Sequence, residues 1–370
     1  MKAHERIWKA LCHEEPDRVP TFTQSIEDPF VRRFDEQIGI EDEAGLFPDM
    51  DVSFILAHAI GFDSKWIHLQ GASPPARDYP AEVPPLPEDQ WAGKSGQIHV
   101  RSKDGSKSWY YDGALKTPEL VKAWIPYVKD FNIPDANYYA HIKKTWDVGC
   151  AKDIVPIPTA GAPTMATWAS IGMRRFSYLT RKYPELVQGL INAWCDVTIE
   201  EHKCIFEAGI PYVFICDDHA QKERLMMSPA DWERFVEPVY RRLADNAHKR
   251  GCKFLVHTDG NLNESFPGMH RAGVDAAEPL EYEAGMRLKP LKEKYGDKIT
   301  LIGNVPSSDA LCLGSVEFTV EITKQCIKDA AAGGGLILAP GANILATAKV
   351  ENVKALIETN KKYGVYPIKL

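Results

Sequence analysis

From about residue 153 onward, short apolar runs alternate with amphipathic stretches. DIVPIPTA (153–160) is followed by helical material through 171–207, and YVFICDD (212–218) by a helix that Ser228-Pro229 opens and that runs to about 250. KFLVHTD (253–259) precedes a short helix, and VDAAEPLE (274–281) precedes LKPLKEKYG. ITLIGNV (299–305) leads to a helix over 315–331, and GLILAPG (335–341) to one over 350–364. Strand and helix alternating at this spacing predict a parallel sheet covered by helices. Five or six such units, added to earlier strands, favour a closed (β/α)8 barrel over an open doubly wound sheet, although periodicity leaves closure open.

Upstream, a first helix is predicted over 2–13, closed by Pro16-Asp17-Arg18, with RVPTFTQ (18–24) as the first strand. The proline-rich segment 71–92 reads as a surface loop. GQIHVRSKDGSKSWYYDG (96–113) holds two alternating runs around Lys103-Asp104-Gly105, a β-hairpin pattern. Thr117-Pro118-Glu119 supplies an N-cap, a first-turn proline and an early carboxylate, and so opens a helix. The expectation is one α/β barrel domain over 1–370, with an N-terminal helical extension and a hairpin insertion at about 94–113. The chain has no internal repeat, no GxGxxG and no GxxxxGK[ST]; the triple glycine 333–335 reads as a helix end.

Composition narrows the partners. A net charge of −7 argues against nucleic acid, whose phosphates demand a basic surface. No apolar run approaches the roughly eighteen residues of a membrane span. The first residues lack the apolar core and cleavage site of a signal peptide. Eight cysteines form no CxxC pair, so reduced thiols and a cytoplasmic location are expected.

In parallel α/β folds ligands bind at the carboxyl ends of the strands. Cys216, Asp217, Asp218 and His219 follow one apolar run, and His257, Asp259 and Asn261 another. Glu278 and Glu281 follow a third, and Asn304 ends a fourth. His257 and Asp259, two apart, project to one face of a strand. With Glu281 or Asp218 from neighbouring strands they could hold zinc with an open position. The competing reading is a hydrogen-bonded structural histidine before an ordinary Asp-Gly turn. Asp217 and Asp218 point to opposite faces, so at most one serves as a general acid or base; His219 is the second candidate for that role. Trp168 follows a strand, as an aromatic substrate wall or as a core residue. Asn261 and Asn304 are the polar candidates for substrate contact.

HERIWKALCHEEPDRVP (4–20), SPADWERFVEPVYRRL (228–243), VHTDGN (256–261), GVDAAEPLE (273–281) and GGGLILAPGANI (333–344) resemble segments of the uroporphyrinogen decarboxylase superfamily. The resemblance runs over nearly the whole chain. It implies a TIM barrel and two kinds of activity: porphyrin decarboxylation, or cobalamin-dependent methyl transfer with zinc and a separate corrinoid protein. The decarboxylases carry an RQAGRY-like segment whose arginines bind substrate carboxylates, where this chain reads TFTQSIEDPFVRRF (21–34). The thiol-activating methyltransferases resemble this chain at His257 but have Cys where Asp259 and Ala342 stand. Imidazole with carboxylates makes a harder Lewis acid than a thiolate set, better matched to an ether oxygen.

The resemblance therefore implies a zinc-dependent O-demethylase component. Such an enzyme passes a methyl group from a methoxylated aromatic to the cob(I)alamin of a partner corrinoid protein. On this reading His257, Asp259 and Glu281 hold zinc, Asp218 and His219 act in catalysis, and Trp168, Asn261 and Asn304 contact substrate. It leaves room for a homodimer. The rival readings are a decarboxylase of a porphyrinogen or small aromatic acid on the same barrel, and a non-catalytic ligand-binding homologue.

Overall fold

The computed structural model describes residues 1–39, 50–76, 86–105 and 108–370; residues 77–85 of the proline-rich segment lie outside the described residues. Eight parallel strands form one sheet: β1 (Phe22–Thr23), β2 (Ser64–His68), β6 (Val155–Thr159), β7 (Tyr212–Cys216), β8 (Lys253–His257), β9 (Ala276–Glu278), β10 (Thr300–Val305) and β11 (Leu336–Pro340). They pair in that order, and the Leu338 N–H donates to the Pro20 carbonyl at 2.8 Å, bringing the last strand back beside the first. The result is the expected TIM-type barrel with helices around it.

Side chains alternate across each strand. Phe22, Trp66, Ile157, Phe214, Leu255 and Ile302 fill the barrel interior, while the opposite faces pack on the helices. Each fully buried aromatic or aliphatic side chain contributes about 1.5–3 kcal/mol. Helix Ala3–Leu11 closes the amino-terminal floor of the barrel, its Ala3, Ile7, Ala10 and Leu11 joining the same cluster.

Two expectations needed adjustment. The helix opened by Ser228 is two helices, Pro229–Phe235 and Glu237–His248. Pro238 has no N–H to donate to the preceding turn, and the break falls just before it. The hairpin at 94–113 is a three-stranded antiparallel sheet, because β3 (Gln90–Ala92) pairs with β4 (Gln97–Arg101) beside β5 (Ser108–Gly113). Thr117 caps helix Pro118–Lys129 as its sequence predicts, accepting from Leu120 N–H at 3.3 Å. Gly333, Gly334 and Gly335 all have positive φ after helix Val316–Ala330. Among the described residues, no helix is long and apolar enough to cross a membrane.

Candidate metal centre

Alternation decides which side chains reach the barrel mouth. Phe214 points inward on β7, so Cys216 does too; Leu255 is followed by His257 on β8, and Ala276 by Glu278 on β9. Parallel register sets Cys216 beside His257 and His257 beside Glu278.

Beyond β8 the chain turns at Asp259-Gly260-Asn261. Gly260 has φ +93°, and a Cβ there would meet the Gln221 carbonyl oxygen at 2.6 Å. Only glycine fits so close an approach in that conformation. Asn261 N–H donates to the same carbonyl at 2.8 Å. This turn carries Asp259 back over His257. One ligand-capable atom from each of Asp218, His257 and Asp259 lies within 4.8 Å of the others. The Nε2 of His257 stands 3.8 Å from an Oδ1 of each carboxylate.

Glu278 is fully buried and accepts the Nδ1–H of His257 at 2.5 Å. That bond engages Nδ1 and turns Nε2 towards Asp218 and Asp259, the arrangement by which an outer carboxylate orients a metal-ligating imidazole. Trp66 holds the ring edge-on, with centroids 4.9 Å apart. Asp218 is set by two bonds: its carboxylate accepts from Asp259 N–H at 3.0 Å, and its carbonyl accepts from Trp168 Nε1–H at 2.9 Å.

The electrostatics are lopsided. Burial opposes a charged imidazole at 257, yet Glu278, Asp218 and Asp259 together raise its pKa to about 9. Burial raises Glu278, with His257 pulling the other way. Asp259 is raised by burial and by Asp218, against His257. Glu281 is held at about 7 by burial, Asp259 and Glu283. Three carboxyl groups thus crowd around one cation, with Glu281 behind Asp259 as a fourth, and the site attracts further positive charge.

The structure distributes the candidate residues unevenly. His257, Asp259 and Asp218 come together. Glu281 is not among those ligand-capable atoms; it hydrogen-bonds to Asp259 and lines a cleft of about 470 Å³ with Tyr282, Glu283 and Ala342. His219 does not reach the mouth. Its ring is buried against Trp232 and Tyr240, with Nδ1 near the Asp217 carbonyl and the Tyr240 hydroxyl. Asp217 faces away from the cluster, accepting from Met165 N–H at 2.6 Å; burial lifts its carboxyl to about 7. Trp168 is buried behind Asp218 and meets Tyr110 edge-on. Asn261 spends its Oδ1 on Asn263. Asn304 is buried and donates from Nδ2 to the Leu280 carbonyl.

Glu278, placed at the rim by its sequence but given no role there, is the orienting carboxylate; Trp66 and His68 from β2, not singled out beforehand, complete the mouth. The alternation in SKWIH (64–68) after Gly61 was the available signal.

Comparisons with known proteins agree with this architecture. Residues 138–363 match the family model described as uroporphyrinogen decarboxylase (URO-D). The methylcobamide:CoM methyltransferase MtaA of Methanosarcina barkeri (strain Fusaro) is 25% identical over 193 residues, covering 52% of this chain and 54% of that protein. The chain spans about half the length of the curated relatives it matches. A methyltransferase from Methanosarcina mazei shares the fold over 98% of this chain and 99% of its own, with a TM-score of 0.67 and 22% identity. A B12-independent methionine synthase from Shewanella sp. W3-18-1 does so at a TM-score of 0.54 and 12% identity, over 93% and 97% of the two chains.

Proposed function

The chain belongs to the uroporphyrinogen decarboxylase family, and on that footing we propose that it is a zinc-dependent methyltransferase. It moves a methyl group from an O-methyl donor, a methoxylated aromatic, to the cob(I)alamin of a separate corrinoid protein. The relation to a methylcobamide:CoM methyltransferase supports the corrinoid partner. The observation that carries the metal reading is the Asp218–His257–Asp259 cluster with Glu278 behind it.

The donor set fits zinc. One imidazole nitrogen and two carboxylate oxygens make three protein ligands, which leaves a position for substrate. His257 offers Nε2 because Glu278 occupies Nδ1. Asp218, read from sequence as an acid, takes a ligand role because its Oδ1 stands beside that nitrogen. When bound, zinc supplies a Lewis acid that stabilises negative charge on the departing aryl oxide, a poor leaving group at neutral pH. No thiolate belongs to the set, which favours an oxygen-bound methyl donor over a thiol acceptor. Trp66 and Glu278 hold the imidazole so that little reorganisation accompanies binding.

Methyl transfer from a panel of methoxybenzenes to a reduced corrinoid, with and without zinc, tests this reading. Turnover that requires zinc and disappears in His257→Ala supports it. Zinc-independent turnover, or unchanged turnover in that variant, overturns it.

A further inference from the structure

His68 ends β2, and Trp66, two residues earlier, lies inside the barrel. By alternation His68 also projects inward, at the mouth. The Trp66 indole stands between two imidazoles, its centroid 5.2 Å from that of His68 and 4.9 Å from that of His257. His68 therefore faces the same space as the metal cluster, from three strands away around the barrel.

Its protonation can be read from its neighbours. Thr159 is the register partner of His68 on β6. His68 Nδ1 lies 3.1 Å from Thr159 Oγ1, and that hydroxyl lies 3.3 Å from the Ile67 carbonyl. A hydroxyl has one proton to give. Both bonds form together only if that proton goes to the Ile67 carbonyl and His68 Nδ1–H donates to Thr159 Oγ1, which leaves a lone pair on Nε2. Among the described residues Nε2 has no hydrogen-bond partner, and part of the side chain is open to solvent while the rest packs on Trp66. Partial burial and the Lys65 ammonium lower the pKa of His68, which keeps the ring neutral. A lone pair in the mouth accepts a proton-bearing group and has nothing to offer a carboxylate. Asp218, Asp259, Glu278 and Glu281 reinforce that exclusion.

Building on the methyl-donor reading above, we infer that His68 accepts a hydrogen bond from a hydroxyl group of the donor, so that methoxyphenols are preferred over methoxybenzene and methoxybenzoates. A site built to bond a substrate hydroxyl discriminates strongly against analogues that lack it.

The experiment compares 2-, 3- and 4-methoxyphenol, methoxybenzene and 4-methoxybenzoate in the zinc-loaded wild type, His68→Phe and His68→Gln. The best methoxyphenol should exceed methoxybenzene by roughly 10- to 100-fold in kcat/KM in the wild type. That ratio should fall towards one in His68→Phe, and His68→Gln, which keeps a carbonyl acceptor, should retain part of it. Calorimetric binding of the methoxyphenol, without any corrinoid, should weaken by about tenfold in His68→Phe. An unchanged ratio in His68→Phe, or methoxybenzoate as the best donor, overturns the inference while leaving the methyltransferase reading intact. Absence of turnover with every donor removes that parent reading. The binding measurement then judges His68 alone, and equal affinity for methoxyphenol and methoxybenzene in the wild type overturns its role.

Discussion

Two charged clusters, each built around a fully buried carboxylate, sit at opposite ends of the barrel, and they are built on opposite principles. At the floor, Arg6 and Arg18 face Asp17 and Asp63. Asp63, 2% exposed, accepts from Arg6 at 2.6 Å, from both terminal nitrogens of Arg18, and from the backbone and hydroxyl of Thr21. Burial alone would raise Asp17, yet its bond to Arg6 holds it at about 2. At the mouth, Asp218, Asp259 and Glu278 share one imidazole, Glu281 bonds to Asp259, and burial with mutual repulsion pushes Glu278, Asp259 and Glu281 above the usual carboxylate range. Matched charges hold a fold together. Unmatched charges cost stability and persist where a ligand supplies what is missing.

Substitutions that separate the two ends sharpen this contrast. The largest stability effect belongs to the floor: Arg6→Ala removes one of the two guanidinium partners of Asp63 and should cost about 2–3 kcal/mol in denaturant unfolding, with zinc affinity little changed in the protein that remains folded. His257→Ala acts first on the metal. Zinc affinity, followed by competition with a chelating dye, should drop by at least about 100-fold, and the metal-free melting temperature should fall modestly because fully buried Glu278 loses its imidazole partner. Glu278→Gln keeps the shape but weakens the hold on Nδ1, and an affinity loss of about 10- to 100-fold is expected from the same titration.

The smallest effect depends on pH. Glu281 is charged only at a cost in the folded metal-free protein, since its pKa of about 7 lies above its ordinary value. Glu281→Gln should therefore melt higher than wild type above pH 7, by about 1 kcal/mol after solvent screening. The gap should shrink as pH falls from 7 towards the ordinary glutamate range and vanish below it. A gap that grows on acidification would break the claim of unmatched charge.

The barrel was legible because each apolar run and its helix are local patterns, and buried parallel strands announce themselves. His257 and Asp259 come together as their spacing suggested, but by another route: β8 ends at His257, and the turn at Gly260, not a shared strand face, brings Asp259 back. Which of Asp218 and Glu281 joins His257 and Asp259 in the cluster was not legible. It depends on the path the chain takes after each strand, which here bonds Asp218 to the Asp259 backbone and leaves Glu281 one step outside. His219 misled for a similar reason: Trp232 and Tyr240, which bury it, come from later helices. His68 was missed because β2 lies outside the regular strand–helix alternation that begins at residue 153. Trp168 was placed correctly after a strand, but only the fold shows its indole N–H committed to Asp218.

The central claim is that the charge imbalance at the mouth is a metal site. Titrating metal-free wild-type protein and His257→Ala with zinc, by calorimetry, tests it most directly. Tight stoichiometric binding in the wild type and none in the variant is the predicted result. Equal binding by both, or no binding by the wild type, would contradict the account.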